Sequence, residues 1–269
     1  MTGKKWLYLC LTLLLVLAMV TMASAEEDTQ ELPPFKVTME QLANGLVRLS
    51  WENPREAVLT EEGTESEPEA VTYEVVVHYC QTDAGPYTEI DRQQVDTTFA
   101  DVVAMPGCQM LYTVTELVDG RYDTIRYTME SVVLANSGVQ LTSALTWEEN
   151  GRVQSAKEIP QAEVAASVET DEANVAYGVN LAWSGKNLST DAEVLVIAEA
   201  PSGYRMLLTH GILEDYLSGS SFAADVSLGQ ALQNLQAYTG YIPVGEYTID
   251  LVVNGSIVAK DSFQLTKDD

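Results

Sequence analysis

The chain contains only two histidines, His78 and His210, and a general base of ordinary pKa would have to be one of them. His78 shares an alternating apolar segment with Glu74 and Val76 and reads as the polar face of a strand. His210 precedes Gly211 at an expected turn. Neither lies in a motif that also supplies a nucleophile and an orienting group, as covalent catalysis requires. Gly-x-Ser-x-Gly, His-Glu-x-x-His and Cys-x-x-Cys do not occur in the sequence. Gly185-Lys186-Asn187 lacks the upstream glycine and the following Ser or Thr of a phosphate-binding loop, so it reads as a turn.

Carboxylates are abundant, with 40 Asp and Glu against 14 Lys and Arg. Two facing acids could hydrolyse a glycosidic bond, but a chain this acidic offers so many pairs that none is singled out. Calcium is the metal such a surface suits. The Glu-rich stretch 61–69 nevertheless lacks the ligand spacing and placed glycine of a calcium loop, and reads as a solvated loop. No catalytic residue, metal or cofactor is assigned, and an enzyme is not expected.

Aromatic residues are the remaining lead. Trp51 and Trp183 end alternating apolar segments and read as core anchors. Trp147, beside Glu148 and Glu149, is a possible ligand contact. Tyr204, Tyr216, Tyr238 and Tyr241 gather in the second half. An exposed aromatic row would suit sugar stacking, although tyrosine more often packs with its hydroxyl at the surface.

These residues are set in a chain of 269 residues with a formal net charge of -26 and 46% apolar content. The apolar share excludes wholesale disorder. The charge excludes nucleic acid and anionic lipid as partners, since both need a basic surface. Lys4-Lys5, the apolar run Trp6 to Met22 and Ala23-Ser24-Ala25 form a secretory signal over residues 1–25; an uncleaved anchor is the alternative. The mature chain would open on an acidic segment, 26–32, with no second apolar span, and a secreted or envelope-associated monomer is expected. Asn187-Leu188-Ser189 and Asn254-Gly255-Ser256 match the glycan-acceptor pattern.

Beyond the leader, period-two alternation dominates. Val47, Leu49 and Trp51 share one face, and so do Tyr73, Val75, Val77 and Tyr79. Turns are marked at Asn53-Pro54, Ala84-Gly85-Pro86, Pro106-Gly107 and Asp119-Gly120, ahead of a β-rich run from Arg126 to Ala135. Pro33-Pro34, the strand end Leu49-Ser50-Trp51, Tyr73-Glu74-Val75, and Pro106-Gly107 ahead of Tyr112-Thr113-Val114 resemble a fibronectin type III domain over residues 33–136. Two departures stand out: the acidic loop is long, and four residues separate Gly107 from Tyr112. The resemblance implies that Trp51 and Tyr73 anchor the first core and that Tyr112 ties a crossing loop to the sandwich. It also places Cys80 and Cys108 at adjacent strand ends, implying a disulfide of roughly 3 kcal/mol in an oxidising compartment; two separate thiols are the alternative. No Arg-Gly-Asp is present to carry integrin binding.

Val139 to Trp147 could form a strand and Glu148-Glu149-Asn150-Gly151 a turn or linker, so residues 137–160 read as a linker of uncertain structure, and 161–269 as a second domain resembling bacterial immunoglobulin-like sandwiches. There Glu163–Val168 is expected as a strand. Val175, Tyr177, Val179, Leu181 and Trp183 alternate with Ala176, Gly178, Asn180, Ala182 and Ser184, and Glu193 to Ala200 forms the next strand. Ser227 and Gln230 suggest a capping box for a helix of about three turns ending at Gly240. Gly245 to Val253 and Ser256 to Leu265 meet at Asn254-Gly255, a strong hairpin signal. The expected fold is all-β, two tandem antiparallel β-sandwiches with one short helix in the second domain. The expected function is that of a secreted, non-enzymatic binding or spacer protein whose partner is an extracellular protein or a cell-envelope or glycan component. The alternative is a carbohydrate-binding accessory protein using exposed aromatics of the second domain.

Overall fold

Strands form where β-branched and aromatic residues alternate with polar ones, and the burial of each strand follows that alternation. A computed structural model describes residues 36–52, 71–82, 84–117, 121–169 and 176–267. The expected leader, the acidic segment 26–32 and the Glu-rich stretch 61–69 lie outside the described residues. The first half has strands β1 (Thr38–Gln41), β2 (Val47–Ser50), β3 (Tyr73–Cys80), β4 (Thr88–Val95), β5 (Phe99–Val102), β6 (Gln109–Glu116) and β7 (Tyr122–Thr128). They pair as a three-stranded sheet, β1-β2-β5, and a four-stranded sheet, β4-β3-β6-β7, an antiparallel sandwich of fibronectin type III-like strand order. Val47, Leu49, Trp51, Tyr73, Val75 and Tyr112 fill its interior.

The second half adds β8 (Val132–Val133), β9 (Gln140–Glu149), β10 (Arg152–Ala156), β11 (Glu158–Pro160), β12 (Gly178–Ser184), β13 (Glu193–Glu199), β14 (Arg205–Ile212), β15 (Leu217–Ser218), β16 (Ser221–Ser227), β17 (Gly245–Val253) and β18 (Ser256–Thr266). One sheet runs β10-β9-β12-β16-β15. The other runs β11-β18-β17-β13-β14, with β8 also on β18. β8 and β11 pair with β18 in parallel, a departure from the fully antiparallel expectation. β17 and β18 turn at Asn254-Gly255 with φ of 48° and 75°, as a two-residue hairpin requires.

Two readings of the sequence are corrected. Residues 137–160 are not a linker, because β9, β10 and β11 lie inside them and belong to the second sandwich. Glu163–Val168 is not a strand but part of helix α1 (Gln161–Glu169). Val164 and Val168 fit a period of two and a period of four equally. Ala162, Ala165 and Ala166, following Pro160, decide for the helix. The described residues therefore hold two α-helices, not one, besides a single 3-10 turn at Leu213–Tyr216. The second, α2 (Gly229–Thr239), begins after Leu228 and ends at Gly240, which is left-handed with φ 82°. The capping box is not formed; the Ser227 hydroxyl accepts only from the Gly229 amide, at 3.4 Å.

The described residues belong to one compact unit, Pro34–Asn53 with Thr64–Asp269. The six-stranded sheet joins its halves. Val194, Val196 and Ala198 on β13 face the second core, while Leu195 and Ile197, between them, join the first. Val252 and Ile257 reach the first core as well. A strand buried on both faces needs an uninterrupted apolar run, which is why Val194 to Ala198 carries no polar residue.

Candidate binding site

The outer face of the five-stranded sheet carries a trough of about 620 Å³. Along β9 the residues Leu141, Ser143 and Leu145 point into the core, so Ala144, Thr146 and Glu148 point outward. The register then sets out the trough in rows. Ser155 lies across from Thr146, Thr146 from Gly178, and Gly178 from Ser227. The next row is Ala144, Asn180 and Asp225. On the opposite side Val153 sits beside Glu148. Four strands at ~4.8 Å spacing make the trough roughly 14 Å wide.

The depression exists because its middle is small. Gly178 has no side chain, and a Cβ there would stand 2.9 Å from the Val226 carbonyl oxygen and 3.2 Å from Thr146 Oγ1. Ala144 and Ala176 continue the low floor. Glu148 on one wall and Asp225 on the other supply carboxylates. Asn180 donates its amide to Asp225 Oδ1 at 2.6 Å, fixing that carboxylate in place. The residues lining the trough include two acids and no Lys, Arg or His.

Trp147 borders the trough but lies in the inward series of β9. It is half-buried, packs on the second core, and its ring is 5.8 Å from that of Tyr177. Tyr177 donates its hydroxyl to Glu163 at 3.3 Å, and burial, followed by the charges of Glu163 and Glu149, raises its pKa. Of the four clustered tyrosines, Tyr204 is buried against Tyr238, and Tyr216 is half-buried against Trp183. Tyr238 and Tyr241 are exposed, at 40% and 59%.

The other singled-out residues sit away from this trough. Trp51 meets Tyr73 edge-on, with ring centroids 5.2 Å apart, inside the first core. Tyr112 is fully buried and donates its hydroxyl to the Val103 carbonyl at 3.2 Å. Trp183 stacks on Phe222 at 6.0 Å in the second core. Tyr247 makes a bond like that of Tyr112, to the Pro243 carbonyl at 2.8 Å, and the sequence reading passed over it.

Cys80 and Cys108 are both buried, and no disulfide joins them. Cys80 pairs across the sheet with Gln109 rather than Cys108. Its Sγ is 2.8 Å from the Thr82 carbonyl, while Cys108 Sγ is 3.8 Å from Gln81 Nε2. Burial pushes the Cys108 thiol up to about 12.

His78 is half-buried on β3 with Glu89 at 3.8 Å, and burial lowers its pKa. His210 pairs with Leu195 across β13 and β14. Among the described residues, no group of three His, Cys, Asp or Glu side chains is placed to hold a metal ion. Glu193, 9% exposed, is pushed up to about 7 by burial and then by Asp91 and Asp215.

No protein-family model matches the chain, and no curated protein matches it. Among solved structures it is similar to a two-domain fibronectin type III segment of chicken tenascin, with 10% identity and a TM-score of 0.25, over 87% of this chain and 99% of that one. It is similar also to the FN1–FN3 domains of chicken CNTN1, with 10% identity and a TM-score of 0.26, over 87% of this chain and 67% of that one. The all-β fold class rests on the strand order itself.

Proposed function

We propose that this is a secreted, non-enzymatic binding protein that takes its ligand in the trough on the outer face of the five-stranded sheet. The observation that carries the reading is the trough itself. Gly178 and its alanine neighbours open a concave surface between two polar walls on a sheet whose other face is locked into the core. Concavity with a few placed polar groups on a rigid backing is what a binding site requires. Specificity would come from Asn180, Asp225 and Glu148 rather than from an aromatic platform, because Trp147 is turned into the core.

The test is retention of the full chain on insoluble envelope material, insoluble glycans and an immobilised basic peptide, compared with Ala144→Phe. That substitution fills the trough from an outward-facing position. Retention on any of these that falls at least tenfold in Ala144→Phe supports the site. Retention unchanged by the substitution removes the trough from the function.

A further inference from the structure

The geometry points to a lysine or arginine side chain of a protein partner as the group that occupies this trough, an inference that rests on the trough being the binding site. Its floor is apolar and low, formed by Ala144, Ala176 and Gly178, with Val153 exposed at 76% on the rim. Its charged groups are the carboxylates of Glu148 and Asp225, at diagonally opposite corners. An aliphatic stem of three or four methylenes lies on such a floor while its cationic head reaches a carboxylate at the edge. An anion would meet two carboxylates in the trough and a protein of net charge -26 around it.

Asp225 is built for this role. The Asn180 amide occupies Oδ1 and leaves Oδ2 for a ligand. The remaining wall groups, the hydroxyls of Thr146, Ser155 and Ser227, both donate and accept hydrogen bonds and so tolerate a peptide backbone crossing the sheet.

The experiment measures binding of a lysine heptapeptide, a glutamate heptapeptide and a neutral malto-oligosaccharide to the full chain by calorimetry at physiological salt. Three variants are compared: Glu148→Gln with Asp225→Asn, Ala144→Phe, and a control that neutralises two exposed acids elsewhere, Glu130→Gln with Glu214→Gln. The lysine peptide should weaken about tenfold in the first two variants and less than twofold in the control, since removing distant surface charges alters only screened long-range attraction. Equal weakening in the control would show attraction to the whole acidic surface and overturn the inference. Binding of the neutral oligosaccharide, lost in Ala144→Phe while the lysine peptide is unaffected, would also overturn it and leave the trough as a binding site. If no probe responds to Ala144→Phe, both the inference and the site fall.

Discussion

Gly45, in the turn between β1 and β2, lies against Gly255 at the tip of the β17–β18 hairpin. A Cβ on Gly45 would stand 2.2 Å from the Gly255 backbone nitrogen. A Cβ on Gly255 would meet Met129 Cε at 2.5 Å and the Gly45 Cα at 3.0 Å. Both glycines have positive φ, 84° and 75°. Two tight turns from opposite halves are thus fitted together, and neither can carry a side chain. Gly45→Ala should cost about 2 kcal/mol or more, from backbone collision added to left-handed strain. Chemical denaturation should show a lower midpoint; an unchanged midpoint would mean the turns separate easily.

The same junction makes the two sandwiches one folding unit. Leu195, Ile197, Val252 and Ile257 complete the first core from the second half's sheet. Arg205 adds a polar clamp, donating to the Pro106 carbonyl at 2.8 Å while its own carbonyl accepts from Gln81 at 2.9 Å. In residues 26–269, a segment that omits Trp6, Trp51 reports on the first half and Trp147 and Trp183 on the second. Fluorescence of Trp51→Phe and of a Trp147→Phe, Trp183→Phe double variant should trace transitions with the same cooperativity, each shifted only by its own substitution. A wild-type curve with two resolved steps would refute this.

Glu193 makes stability depend on pH. Its folded pKa of about 7 lies above the ordinary carboxylate value of 4.5. The folded state therefore binds more protons than the unfolded one between those values, and stability falls as pH rises through that window. Glu193→Gln carries no charge toward Asp91 and Asp215. It should match the wild type near pH 4.5 and exceed it at pH 8, by at most about 3 kcal/mol. Denaturation at the two pH values measures the difference; a constant offset would count against the assignment.

The thiols give a direct chemical test. Because Cys80 and Cys108 share no bond, residues 26–269, a segment that omits Cys10, purified without reductant, should yield two reactive thiols once unfolded. In the native state they should react slowly, since both are buried and the Cys108 thiolate is scarce at neutral pH. No reactive thiol after unfolding would restore the disulfide implied by the sequence resemblance.

Tyr112→Phe removes the hydroxyl that satisfies the Val103 carbonyl, and Tyr247→Phe does the same to Pro243. Each should lower stability by roughly 1 kcal/mol, the usual net loss for a buried hydrogen bond left unmade. Additive losses in the double variant are expected, because the two sit in different cores.

Period-two alternation made Leu49, Val75, Leu181 and their neighbours legible as strand interiors, because a pleat sends alternate side chains to opposite faces whatever surrounds it. Asn254-Gly255 and Gly240 were equally legible, since each asks for a backbone conformation that few residues adopt. The trough was only half legible. Gly178, Asn180 and Ala182 were legible as the outward positions of an alternating strand, but nothing local shows that Ser155, Thr146 and Ser227 line up beside them. That alignment comes from register between strands far apart in sequence. Trp147 was legible only as a possible contact beside two acids; its place in the inward series of β9, half-buried at the border of the trough, comes from the same register. The chain's own pattern determined its strands, its tight turns and which side chains avoid water. Only the tertiary structure decided that the second face of β13 is covered by the first sandwich, because an apolar run records that it must be buried and not by what.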